Sequence, residues 1–108
     1  GILKAQKKTE RVATQGLVEA YIHGGGRLGA MIELNCETDF VARTDEFKEL
    51  AHNLAMQVAA MPAQFVSSDE VPEGTEVDPP ADCLLSQPFI KDPAQTVRDV
   101  IVETIGEL

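Results

Sequence analysis

Cys36 and His52 are the two residues of this 108-residue chain that come nearest to a catalytic pair. A thiol enzyme needs a cysteine activated by a nearby histidine; Cys36 ends a predicted strand and His52 lies in the helix predicted after it. A histidine beside the apolar stripe of a helix is more often structural or solvated, so the residues disfavour catalysis. Glu33, Cys36, Glu37 and His52 are also poorly spaced for a metal site. We therefore expect no enzyme activity and no cofactor.

The sequence also lacks the common motifs for phosphate binding and for zinc-dependent proteolysis. The sequence has no G-x-x-x-x-G-K-S/T loop, no G-x-G-x-x-G after a strand and no H-E-x-x-H. Gly24, Gly25 and Gly26 join two predicted strands and do not open a helix, so they lack the helix N-terminus that makes a phosphate site. We interpret them as a turn, because glycine reaches the positive backbone angles that a tight reversal needs.

The segment at residues 35–43, NCETDFVAR, connects a predicted strand to a predicted helix. A phenylalanine beside an acidic residue in such a connection can anchor a partner, because an aromatic ring offers a large contact area at little rotamer cost. Phe40 can equally pack under the connection as part of the core. The residues alone favour this second interpretation.

Hydrophobic periodicity predicts the elements on either side. A β-hairpin is predicted over residues 16–35, with one apolar face formed by Val18, Ala20, Ile22, Leu28, Ala30, Ile32 and Leu34. A helix is predicted over residues 44–61, with Thr44 as its N-cap and Pro62 after its end. Its stripe should cover the hairpin and comprises Phe47, Leu50, Ala51, Leu54, Ala55, Val58 and Ala59.

The remaining elements complete an α+β prediction. A basic amphipathic helix is predicted over residues 1–15, an acidic loop over 62–82 and a C-terminal helix over 93–106, within a core domain at 16–108. Asp92 with Gln95 indicates a helix-start box, and Gly106 a C-terminal cap. An antiparallel hairpin packed against two or three helices leaves a thin sheet, so a third strand is expected from outside this chain.

Composition restricts the classes of partner. The net charge is −9. Because such an acidic surface repels phosphate, we expect no direct nucleic-acid binding. The sequence has no apolar run near the roughly 20 residues that cross a bilayer, so no membrane association is expected. Cys36 and Cys83 are predicted to be small buried apolar residues.

Residues 32–43, IELNCETDFVAR, closely resemble the most recognisable segment of elongation factor Ts. Residues 16–23, 54–60 and 84–92 also resemble that family, so the resemblance covers nearly the whole chain. Three departures are expected to matter. The family's small N-terminal helical domain and its closing strand are missing, and many members carry a longer, helix-bearing insertion where this chain has residues 66–82. The chain therefore looks like a fragment of a short-form bacterial or organellar member.

The resemblance implies guanine-nucleotide exchange on elongation factor Tu during translation elongation, by protein binding rather than enzyme chemistry. Thr38, Asp39, Phe40, Val41 and Arg43 would bind the partner, with Phe40 inserting between helices of its G domain. GDP and magnesium would belong to the partner. The resemblance also implies a homodimer, in the bacterial cytoplasm or the interior of an organelle. The alternative is a dimerisation or protein-binding module without exchange activity.

Overall fold

The computed structural model describes residues 2–5 and 15–106, with side chains from residue 15 onward. In chain order, its first five elements are β1 (Ile2–Ala5), β2 (Gln15–His23), β3 (Leu28–Cys36), α1 (Asp39–Ala42) and α2 (Asp45–Ala60). The next four are α3 (Pro79–Asp82), β4 (Pro88–Phe89), β5 (Asp92–Thr96) and α4 (Val97–Ile105). The fold is α+β, as the sequence predicts.

The sheet at the centre of the fold has three strands in the order β1-β3-β2. Strand β2 is antiparallel to β3, and β1 pairs with the other edge of β3 in parallel. The third strand, expected from outside this chain, is therefore β1. The helix predicted over residues 1–15 is wrong at Ile2–Ala5, which form a strand. The backbone groups of this strand pair with the second edge of β3, which would otherwise lack hydrogen-bond partners. The rest of the predicted helix, residues 6–14, lies outside the described residues.

The hairpin has the predicted extent, and its turn has the predicted chemistry. Gly24, Gly25 and Gly26 have φ angles of 58, 73 and 86°, which residues with a Cβ adopt only with strain. His23 pairs with Leu28 on the two sides of the turn. Leu28 was predicted to lie in the core, but it is exposed at this end of the sheet.

The register of the hairpin turns Val18, Ala20 and Ile22 of β2 away from the core, whereas Leu17 and Tyr21 pack against it. Ala20 pairs with Met31 and Ile22 with Gly29, and paired residues share one face of a sheet. Val18 and Ile22 are consequently exposed, and the predicted continuous apolar face is wrong for this strand. Alternation within each strand does not decide which residues pair across the turn, and a shift of one residue exchanges the faces.

Helix α2 covers the inner face of the sheet. Ile32, Leu34 and Cys36 of β3 are buried, and they join the helix stripe in a single cluster. The stripe is the predicted one, with Phe47, Leu50, Ala51, Leu54, Ala55 and Ala59 buried. The predicted cap is also confirmed, because the hydroxyl of Thr44 accepts a hydrogen bond from the Phe47 amide at 3.2 Å.

The acidic loop is closed at its base by backbone pairing. Phe65 forms a bridge with Cys83, and the amide of Leu84 donates to the Phe65 carbonyl at 2.9 Å. Between these ends lie a 3₁₀ turn at Ser68–Glu70 and helix α3. The loop is thus fixed to the domain at both ends.

Helix α4 starts later than predicted. Asp92–Thr96 is strand β5, paired with β4, and the helix-start box is formed by Thr96 and Asp99, which exchange bonds of 3.1 Å. The helix therefore begins four residues after its predicted start at residue 93. Gly106 ends the helix with a φ of 83°, as predicted. In the described parts of the chain, no helix has the length and apolar character that crossing a lipid bilayer requires.

Two buried glutamines connect α2 to β4 and to the residues on either side of it. Gln57 donates to the side-chain oxygen of Gln87 and to the Pro88 carbonyl, both at 3.0 Å, and accepts from the Ile90 amide at 2.9 Å. Gln87 donates to the carbonyls of Met61 at 3.0 Å and Ala81 at 2.9 Å. Because both side chains are fully buried, each bond satisfies a group that water cannot reach.

We predict that Gln57→Leu lowers the free energy of unfolding by about 2–3 kcal/mol, because the Ile90 amide and the Gln87 oxygen lose their buried partner. Urea titration followed by far-ultraviolet circular dichroism measures this change. The exposed Gln64 donates to Asp82 at 3.4 Å, and Gln64→Leu should cost less than about 0.5 kcal/mol. Equal losses in the two variants would contradict the role of the buried pair.

Candidate functional site

The site is built around α1, a single helical turn between β3 and α2. The hydroxyl of Thr38 accepts from the Val41 amide at 3.2 Å and so caps the start of the turn. At its other end, the hydroxyl of Thr44 donates to the Val41 carbonyl at 2.8 Å. Since the same hydroxyl accepts from the Phe47 amide, α1 is bonded directly to the first turn of α2.

The two faces of α1 differ in burial. Ala42 is buried and Val41 packs against the core, whereas Asp39, Phe40 and Arg43 point outward. The side chain of Phe40 is 81% exposed, the largest exposed fraction among the large hydrophobic residues that the structure describes. Asp39, Phe40, Arg43 and Thr44 line an open concavity in the surface.

The predicted site residues Thr38, Asp39, Phe40, Val41 and Arg43 thus lie together on one turn and its cap. The interpretation of Phe40 as part of the core is wrong. A single turn cannot bury all its sides, and the capping bonds direct the side chains of residues 41 and 42 inward, so the ring of residue 40 is left outside.

A surface ion pair orders the outward face of α1. One guanidinium nitrogen of Arg43 lies 3.3 Å from a carboxylate oxygen of Asp39, one helical turn away. Both side chains are mostly exposed, so the pair adds little to stability. Its charges remain accessible to a partner.

Cys36 lies beneath the turn, and its contact with Thr38 was not found from the sequence. Its Sγ donates to the Thr38 carbonyl at 3.1 Å, and the same carbonyl accepts from the Ala42 amide at 3.3 Å. Burial raises the pKa of the Cys36 thiol from its ordinary value of 9.0, against the smaller opposing effect of its backbone hydrogen bonds. The thiol is therefore neutral near pH 7 and can act as a donor.

The thiol–histidine pair considered from the sequence is not assembled. The Nδ1 atom of His52 lies 3.7 Å from a carboxylate oxygen of Glu19, and its ring meets that of Tyr21 edge to face at 5.9 Å between centroids. Cys36 instead bonds to the backbone. A search of the described residues for three or more His, Cys, Asp or Glu side chains able to hold a metal ion found no such group.

Comparison with known proteins identifies similar sequences along the whole chain. A sequence model of the family described as "Elongation factor TS" matches residues 3–77. The "Elongation factor Ts" of Moorella thermoacetica is 44% identical over 138 residues, and that of Carboxydothermus hydrogenoformans is 42% identical over 138 residues; both alignments cover 100% of this chain. The "Elongation factor Ts, chloroplastic" of Rhodomonas salina is 48% identical over 104 residues and covers 95% of it.

These relatives are longer than this chain. The aligned region is 68% of the Moorella protein, 64% of the Carboxydothermus protein and 47% of the Rhodomonas protein. Each bacterial alignment extends over 138 residues, 30 more than the 108 of this chain. Those 30 positions have no counterpart here.

Both cysteines should make folding stability depend on pH. Burial raises the pKa of the Cys83 thiol, as it does that of Cys36, so unfolding releases thiol protons once the pH exceeds about 9. We predict that the free energy of unfolding then falls by up to about 1.4 kcal/mol per pH unit for each thiol. The stabilisation that each neutral thiol contributes is fully retained below the ordinary pKa of the thiol. It is lost as the pH rises through the higher pKa of the thiol in the folded protein.

Urea titrations from about pH 8 to about pH 10 test this prediction. The double variant Cys36→Ala/Cys83→Ala keeps every other titrating group and should lose less stability across that range. An equal loss in both proteins would show that the thiols are not held neutral by the fold.

Proposed function

The chain belongs to the elongation factor Ts family, and we propose that it promotes GDP release from elongation factor Tu by binding that protein through α1. The exposure of Phe40 carries the proposal. Burying a phenylalanine contributes roughly 1.5–3 kcal/mol, and a fold that leaves this ring 81% exposed forgoes most of that stabilisation. A partner that encloses the ring would recover it.

The geometry of α1 supports this function, because the segment is ordered before a partner arrives. The bonds from Thr38 and Thr44 to Val41 fix the turn at both ends. A preformed segment loses less conformational freedom on binding, so more of the contact energy remains as affinity. Phe40 would be the central anchor, with Asp39 and Arg43 as polar contacts around it.

In this proposal, the chain performs no bond chemistry. Insertion of Phe40 between helices of the partner's G domain would displace the contacts that hold magnesium and GDP, both of which belong to the partner. On elongation factor Tu, the binding of the factor and the binding of nucleotide are then reciprocally linked. A factor that weakens GDP binding is itself bound more weakly by elongation factor Tu when nucleotide returns. Incoming GTP would complete the cycle, in the bacterial cytoplasm or in an organelle.

We predict that Phe40→Ala slows stimulated GDP release at least about tenfold, because truncating a central aromatic anchor typically costs 2 kcal/mol or more of binding free energy. Release of a fluorescent GDP from elongation factor Tu in stopped flow measures the rate. Stability should change by less than about 0.5 kcal/mol, since the ring makes few contacts in the free protein.

Val102→Ala provides the matched control, because Val102 is also exposed but lies on α4. It should leave GDP release unchanged. Full stimulation by the Phe40→Ala variant would contradict the proposed function.

Self-association is a second candidate function, favoured by the exposed outer face of the sheet. We define the outer face by Val18, Ala20, Ile22 and Met31, which share one side of the hairpin. Val18 is 58% and Ile22 is 67% exposed. Exposed apolar side chains grouped on one face are typical of protein–protein contacts, and a second copy of the chain would offer an identical face.

For this candidate, we predict that Ile22→Glu abolishes dimers detected by sedimentation velocity, because each interface would bury two unpaired carboxylates. Val102→Glu adds the same charge on α4, outside the outer face, and should leave the dimer intact. A wild-type chain that sediments as a monomer at high micromolar concentration, or a dimer that survives Ile22→Glu, would exclude the outer face as the interface.

A further inference from the structure

The orientation of Phe40 is imposed by its neighbours. Its ring is 81% exposed, so contacts of the ring itself cannot hold it in place. Its backbone belongs to α1, which has four residues. Isolated helices far longer than this are marginal in water, so the bonds that join α1 to the rest of the fold decide where Phe40 points.

The C-terminal end of α1 is held through Thr44. Its hydroxyl donates to the Val41 carbonyl at 2.8 Å and accepts from the Phe47 amide at 3.2 Å. Phe47 is fully buried in the first turn of α2. This end is therefore bonded to the core.

The N-terminal end of α1 depends on Thr38, whose side chain is exposed. Thr38 caps the turn, but capping bonds the turn only to itself. The Thr38 carbonyl is joined to the sheet by the thiol of Cys36, the last residue of β3, at 3.1 Å. Cys36 is buried in the core cluster and pairs with Gln15 of β2, so its own position is well defined.

We propose that Cys36 is a positioning residue for Phe40: its thiol holds the Thr38 carbonyl, and thereby α1, in the orientation that presents the ring to the partner. The inference rests on the proposed function of Phe40. The thiol is a weak donor, and the Thr38 carbonyl has a second lone pair for the Ala42 amide. Losing the bond loosens α1 without removing any group that touches the partner.

A double-mutant cycle tests the inference. We measure dissociation constants for nucleotide-free elongation factor Tu with the wild type, Cys36→Ala, Phe40→Ala and the double variant. Cys36→Ala should raise the constant about three- to tenfold, as expected for one lost hydrogen bond. In the Phe40→Ala background, the Cys36→Ala substitution should raise the dissociation constant less than about twofold, because the ring is no longer there to be positioned.

Two further variants separate positioning from general stability. Cys36→Ser retains a donor and should restore most of the affinity. Cys83→Ala makes the same truncation at the other buried cysteine, away from α1, and should lower stability while leaving the dissociation constant unchanged at temperatures where the variant is folded. Equal effects of Cys36→Ala with and without Phe40, or no rescue by serine, would overturn the inference.

Amide hydrogen exchange measured by NMR tests the same inference without a partner. The amides of Val41 and Ala42 donate to Thr38, and in Cys36→Ala they should exchange about three- to tenfold faster. The interior amides of α2 serve as the reference. Unchanged exchange at residues 41 and 42 would overturn the inference.

The two experiments fail in different ways. If Phe40→Ala binds elongation factor Tu like the wild type, the proposed function fails. The amide exchange rates of residues 41 and 42 would still decide whether the Cys36 thiol holds α1.

Discussion

The packing of α2 against β3 is the interaction on which the other elements depend. Phe47, Ala51 and Ala55 are completely buried at this contact, and the two alanines allow the helix to lie close to the sheet. The same helix is bonded through Gln57 to Gln87 and to Pro88 of β4. The start of α2 also fixes the end of α1, because Thr44 is bonded to both. Core packing and the geometry of the site are therefore set by one contact.

The candidate site differs from the core in how it uses phenylalanine. Phe47 and Phe89 are buried and Phe65 is half-buried, whereas Phe40 is held in water by a turn whose bonds fix its backbone. An aromatic ring kept exposed and oriented is costly for a monomer and useful for binding, because the partner gains the burial energy and loses little entropy. The exposed and oriented ring of Phe40, and not a reactive group, is the feature that suits the surface of α1 to binding.

Elements with several agreeing local signals were predicted well from the sequence. Helix α2 combines an apolar stripe, the Thr44 cap and Pro62, and its predicted bounds are within one residue of Asp45–Ala60. Other elements depend on contacts between distant residues. Strand β1 forms because β3 has a free edge with which it can pair. The residues that form the outer face are set by the pairing register of β2 and β3. The proposed binding segment was recognised by its resemblance to a family, since physical arguments alone placed Phe40 in the core. The bond from Cys36 to a backbone carbonyl has no sequence signature.

We propose that Phe40 enters the G domain of elongation factor Tu, and site-specific photocrosslinking would detect this contact. The ring of Phe40 would be replaced by the photoreactive analogue p-benzoylphenylalanine, the complex with nucleotide-free elongation factor Tu irradiated and the crosslinked peptides identified by mass spectrometry. We expect crosslinks to helices of the G domain, with none when the analogue replaces the exposed Val102. Crosslinks confined to another domain, or none from position 40 in a complex that still forms, would contradict it.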